Sequence, residues 1–345
     1  MRFPLPKNSL PKTNTTKGLA LAAAAALTLT LGACSAAGQA EEPAPEASAA
    51  SAEWPRTITH ESGETVIDAK PENIVSTTLS VTGTLLAIDA PVTATAVSPA
   101  RGGTADENGF FAQWADVAVE RSVDPLYTIG EFDLEAVIAS DPDLLVVSTS
   151  GADSVLDQYE ALSDIAPTIV VNYGDQTWQD LAKELGEATG LETEAAAVVA
   201  EFDASLAATA EKLDIPEGTT ASIVSYNPGE VSPVGKTTGP HSQMISALGF
   251  TVVEPDAQFD TSTQKREDFA FTSYEGLSAS VTGDYTFLIS AGEETVGQFT
   301  SDATLANIPA VVNNQVFALG KPSFRLDYYS GSDVITWFNE SFTGK

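Results

Sequence analysis

One cysteine, two histidines and 16 basic residues against 48 acidic ones are the scarcities of this 345-residue chain. With Cys34 alone no internal disulfide can form, so a conventional hydrophobic core must hold the fold. His60 and His241 have no second histidine or cysteine near them, which argues against a structural zinc or iron site. Both imidazoles are expected to be solvated, His60 on a surface strand and His241 in a Gly/Pro-rich loop. There is no G-x-S-x-G nucleophile elbow and no H-E-x-x-H pair. No catalytic residue is therefore expected, and no enzyme. Among 48 carboxylates some pair always looks catalytic, so acidic pairs carry no signal.

Long apolar runs are equally rare. Only residues 18–33 are apolar or small throughout, and that run is short beside the roughly 20 residues a membrane span needs. It follows a basic start (Arg2, Lys7, Lys12, Lys17) and closes on Leu31-Gly32-Ala33-Cys34. Basic, apolar and small-residue parts in that order make an export signal of the lipoprotein variety over residues 1–33, with Cys34 expected to become the lipidated N-terminus. Beyond it, 12 Lys and Arg face 48 Asp and Glu, a formal charge of −36. Such a surface repels nucleic acid and anionic head groups. It also makes its five arginines, Arg56, Arg101, Arg121, Arg266 and Arg325, conspicuous wherever they cluster.

Residues 34–53 carry no large apolar side chain and read as a disordered tether. From Trp54 the composition turns globular, and about 290 residues exceed what one core usually serves. An N-terminal α/β lobe is expected over 54–190. Asn73–Thr77, Ala94–Ser98, Asp143–Ser148 and Thr168–Asn172 read as strands there; Leu79–Ile88, Phe110–Val117, Asp133–Ser140 and Ser154–Ile165 read as helices. Short β-branched strands alternating with helices argue a parallel sheet covered on both faces. Between Leu191 and Ile215 there is neither Gly nor Pro, and Ala195, Val198, Phe202, Leu206, Ala210 and Leu213 recur at helical spacing, which predicts one long helix over 191–215. A C-terminal α/β lobe over 216–345 resumes the alternation and ends in a helix over Tyr328–Phe342.

Several segments then carry a family resemblance: LSVTGTLLAIDAPV (Leu79–Val92), LYTIGEFDLEAV (Leu126–Val137), IAPTIVVNY (Ile165–Tyr173), QMISALGF (Gln243–Phe250), IPAVVNNQVFALG (Ile308–Gly320) and FRLDYYS (Phe324–Ser330). In this order they resemble the ferric-enterobactin-binding proteins of siderophore ABC importers, from Trp54 to near the C-terminus. The resemblance implies two Rossmann-like lobes joined by a single long interdomain helix, with the ligand in the cleft between them. It implies a monomer tethered at the outer face of the cytoplasmic membrane, with a permease and its cytoplasmic ATPase as partners. Glu131 and Glu275 match the family's permease-docking acids, one per lobe.

The implied ligand, ferric iron held by three catecholates, is a trianion with flat aromatic faces, which suits guanidinium. It supplies its own iron ligands, so no cofactor and no direct metal ligand is expected from the chain. Arg325 stands at the family's C-lobe ligand arginine, with Tyr328 and Tyr329 beside it as stacking candidates. A local ion pair of Arg325 with Asp327 is the plainer alternative. Arg101 lies in the loop of the N-lobe arginine, although ungapped counting places that residue at Gly103. Lys265 and Arg266 match a basic pair, or else are a solvated loop pair. Where the family has a tryptophan against its ligand, this chain has Val234-Gly235-Lys236-Thr237, and Lys236 offers charge instead. A neutral hydroxamate, haem or cobalamin binder on the same fold, and a siderophore hydrolase, are the rival readings.

Overall fold

The computed structural model describes residues 53–99, 103–263 and 266–342. The leader, the tether with Cys34, Arg101 and Lys265 lie outside the described residues. Among the described residues the strands are β1 (Arg56–His60), β2 (Gly63–Ile67), β3 (Ile74–Ser76), β4 (Val92–Val97), β5 (Asp124–Thr128), β6 (Leu144–Ser148), β7 (Thr168–Val171), β8 (Thr220–Val224), β9 (Ser232–Gly235), β10 (Thr251–Val252), β11 (Phe269–Thr272), β12 (Tyr285–Leu288) and β13 (Val316–Ala318). The helices are α1 (Leu79–Ala87), α2 (Ala115–Glu120), α3 (Leu134–Ala139), α4 (Tyr159–Ser163), α5 (Trp178–Thr189), α6 (Glu192–Leu213), α7 (Pro240–Ala247), α8 (Tyr274–Ser280), α9 (Glu293–Ser301), α10 (Pro309–Val312) and α11 (Tyr328–Trp337).

The first lobe is built on a five-stranded parallel sheet in the order β5-β4-β3-β6-β7. Its strands β3, β6 and β7 are buried along their whole length, as their apolar runs require. The second sheet runs β11-β9-β8-β12-β13, with β10 also paired to β8. There β8, β10, β12 and β13 are parallel, whereas β9 pairs antiparallel with both β8 and β11.

The long helix forms as its spacing predicts, 22 residues from Glu192 to Leu213, and stops where Asp214 turns left-handed at φ 46°. Ala195, Val198, Phe202 and Leu206 are its buried stripe. One continuous apolar core joins the inner faces of both sheets through this helix, from Ile74 and Leu85 through Phe202 to Ile223 and Phe287. The outer faces carry separate clusters, around Val147 in the first lobe and Phe299 in the second.

Three local expectations are corrected. The helix predicted over Phe110–Val117 begins only at Ala115, because Asp106 accepts from the amides of Asn108 and Phe110 and holds a turn through Gly109 at φ 85°. The freed Phe110, Phe111 and Trp114 are buried instead. Ser154–Ile165 breaks into a 3-10 turn at Leu156–Gln158 and the short α4. His60 is not solvated: the β1–β2 hairpin folds back on β7, Thr65 donates to the Thr168 carbonyl at 2.8 Å, and the imidazole bonds Thr65 at 2.9 Å while 8 % exposed.

Candidate functional site

In open α/β sheets ligands sit beyond the carboxyl ends of the strands. Here those ends face a shared cleft: Tyr173 follows β7, Ser225 follows β8, and Ile289 and Ser290 follow β12. The cavity they line is about 370 Å³ and also takes in Trp178, His241, Phe269, Phe271 and Phe324. A neighbouring cavity of about 340 Å³ shares Tyr173, Gly174, Arg266, Asp268 and Arg325 with it. Together they reach the size range of small-ligand sites, with aromatic walls and a few polar groups.

Arg325 belongs to this cleft. Its Cζ lies 4.4 Å from the centroid of the Tyr173 ring, so a guanidinium from the second lobe rests on an aromatic face from the first. The alternative ion pair with Asp327 does not form. Asp327 caps α11 instead, accepting from the Ser330 amide at 2.8 Å and from Gln113 at 3.1 Å, and burial raises its pKa above the usual carboxylate range. Among the described residues no carboxylate pairs with Arg325 and none of its N–H groups has an acceptor; its Nε is buried without one.

Arg266 also lines both cavities, although its loop side chain stays about half exposed at 47 %. It is held by Asp268 through two bonds of 2.7 and 2.6 Å, which raise its pKa and cancel its charge locally. Lys236 lines neither cavity; its ammonium bonds the Arg266 carbonyl and lies 3.8 Å from Asp260, so it braces the loop that carries Arg266. Of the five basic candidates, the three among the described residues thus differ: Arg325 has no counter-ion there, Arg266 is paired with Asp268, and Lys236 is a brace.

Tyr328 and Tyr329 do not line the cleft. The capping box at Asp327 starts α11 immediately, and the helix carries Tyr328 onto Trp178 and Phe202 of α5 and α6 at ring separations of 5.9 and 6.5 Å. Tyr329 packs against Tyr328, and burial pushes its phenol up to about 12. The tyrosine that meets Arg325 is Tyr173, the last residue of the segment IAPTIVVNY, to which the sequence assigns no ligand role. Its signal was positional: it stands two residues past the end of a parallel strand.

His241 is likewise not solvated. Proline at the first position of α7 seats it within the helix's first turn, 5 % exposed, where Nε2 bonds the Ser323 carbonyl at 2.7 Å. Burial, with Arg325 adding to it, drives its pKa to about 4, so the ring is neutral in the cleft wall at ordinary pH. Val234-Gly235 falls in β9 with Val234 buried. Across the antiparallel β9–β11 pair, Phe269 and Phe271 line the cavity.

Glu131 and Glu275 are both exposed, one in each lobe. Glu131 lies in the turn after β5, two residues before the N-cap Asp133 of α3, and not in the helix itself. Glu275 is in the first turn of α8, whose N-cap Ser273 accepts from the Gly276 amide at 3.2 Å.

Comparison with known proteins follows the same fold. A model of the periplasmic binding protein family matches residues 74–322. The ferric enterobactin-binding periplasmic protein FepB of Escherichia coli is 40 % identical over 291 residues, 84 % of this chain and 91 % of that protein. The crystal structure of holo-ViuP superposes with a TM-score of 0.78 at 41 % identity, over 85 % of this chain and 97 % of the other. The catecholate-siderophore binding protein VctP of Vibrio cholerae shares the fold at a TM-score of 0.59 and 17 % identity, over 83 % of this chain and 99 % of that one.

Proposed function

This chain belongs to the periplasmic binding protein family, and we propose that it captures a ferric catecholate siderophore of the enterobactin type and delivers it to an ABC importer. The observation that carries the reading is Arg325 on Tyr173 in an aromatic-walled cleft, in a chain whose formal charge is −32. A trianion entering that acidic field needs local positive charge, and a ligand with flat rings needs planar surfaces; the cleft offers both at one place. A neutral hydroxamate would leave the unpaired guanidinium without purpose. His241 is neutral and its Nε2 is engaged by the Ser323 carbonyl, which favours binding over hydrolysis.

Intrinsic fluorescence tests this directly, since Trp178 and Tyr173 line the cavity. Titration with a ferric tricatecholate, a neutral ferric hydroxamate and haem is expected to give the tightest quenching curve with the tricatecholate. Tighter binding of either other ligand overturns the assignment.

The same proposal places the protein at the outer face of the cytoplasmic membrane, held by a lipid on Cys34 through the tether of residues 34–53, acting as a monomer toward a permease with a cytoplasmic ATPase. The export signal that ends at Cys34 supports the anchor. A Cys34→Ser protein is expected in the soluble extracytoplasmic fraction. Retention on membranes at the wild-type level counts against lipidation.

A further inference from the structure

We propose that Tyr173, fixed by Asp153, is a positioning platform that presents Arg325 to the ligand, so that tyrosine ring, guanidinium and one catecholate ring form three stacked layers. This rests on the catecholate reading above and adds two residues to it.

The platform is built from the first lobe. Asp153 is 5 % exposed and accepts from the Thr78 hydroxyl at 2.9 Å, the Ser80 amide at 2.8 Å and the Tyr173 hydroxyl at 2.8 Å. It therefore ties the start of α1 to the loop after β7 and sets the plane of the tyrosine ring. The approach is close enough to require glycine at 151, where φ is 92° and a Cβ would fall 1.7 Å from the Tyr173 hydroxyl. Burial and the charge of Asp153 raise the phenol to about 12, which keeps it protonated as the donor and keeps the ring neutral.

On that ring lies the guanidinium, 4.4 Å from its centroid. The negative face of an aromatic ring attracts a cation, and a stacked guanidinium loses less freedom on binding than a loose one. One face is taken by Tyr173. Arg325 lines both cavities, so the cleft gives a flat anionic ring access to the rest of the group. A side chain on a long flexible stem is held in place before the ligand arrives, and among the described residues no carboxylate pairs with it.

A double-mutant cycle tests the idea with a ferric tricatecholate as probe, each protein checked by its thermal melt. Tyr173→Leu is expected to weaken binding about tenfold in the wild-type background and less than about twofold in Arg325→Ala. Tyr173→Phe, which keeps the ring, should recover to within about threefold. Asp153→Asn should cost about threefold alone and nothing further beside Tyr173→Leu. Equal losses from Tyr173→Leu in both backgrounds, no loss at all, or failure of phenylalanine to rescue each overturn the stack. If the wild-type protein itself does not bind the tricatecholate, the underlying reading falls; if it binds and the leucine variant matches it, only the stack falls.

Discussion

Arg325→Ala is expected to weaken binding of a ferric tricatecholate by well over tenfold. Removing a desolvated, charge-pairing group from a binding site costs on the order of 2–5 kcal/mol. Here the cost falls on the one cleft cation that has no counter-ion among the described residues, since Arg266 is already spent on Asp268. Arg325→Lys should also lose affinity, because an ammonium keeps the charge but gives up the planar face that lies on Tyr173. The measurement is titration of wild type and both variants with the tricatecholate and with a neutral ferric hydroxamate, folding being checked by melting. An unchanged Kd in Arg325→Ala, or equal losses for both chelates, would remove Arg325 from the site while leaving the fold as described.

A protein carrying both Glu131→Ala and Glu275→Ala is expected to bind its siderophore as wild type does and yet to fail in uptake. Neither carboxylate lines the cleft, and both are exposed on separate lobes. Paired with permease cations, each would contribute about tenfold or more to docking. The fold around Glu275 should tolerate the change: its neighbour Tyr274 donates to Asp302 at 2.7 Å, and Tyr226 donates to the same carboxylate at 2.8 Å. That network anchors α8 independently of residue 275. Whole-cell uptake of the ferric siderophore, set beside the Kd of the purified protein, separates the cases. A fall in affinity would assign the acids to the cleft or the fold; unimpaired uptake would remove them from docking.

Much of the framework was legible because it rests on local pattern. The apolar runs at Ile74, Leu144 and Thr168 could be read as buried parallel strands, and the stripe from Ala195 to Leu206 as one helix, since period and burial coincide in both. Arg325 reached the site because arginine is scarce and its segment distinctive. What escaped is tertiary. A surface strand for His60 and a Gly/Pro-rich loop for His241 suggest solvated rings, whereas both are buried and hydrogen-bonded, to Thr65 and to the Ser323 carbonyl. Tyr328 and Tyr329 adjoin Arg325 in sequence, which suggests ligand-facing rings, whereas the capping box at Asp327 starts α11 at Tyr328 and carries that ring onto Trp178 and Phe202. Tyr173 and Asp153 are 20 residues apart and meet only through Gly151, a juxtaposition no spacing rule announces.

The continuous core beneath the cleft has a consequence for how free energy is divided on binding. Hinged binders close by rotating loop residues, and part of what the ligand contributes is consumed in that reorganisation. Here α6 contains neither glycine nor proline, and around it the lobes interlock. Phe111 of the first lobe meets Phe324 of the second edge-on at 4.9 Å, and Gln113 reaches Asp327. Gly83 leaves no room for even a methyl group against Asp327 and Trp114, nor Gly331 against Phe202. A mount of this stiffness works as a socket cut in advance. Little of the attraction between ligand and walls is then diverted into moving the walls, and a permease would grip a body of nearly constant outline, whose message is the cargo it holds.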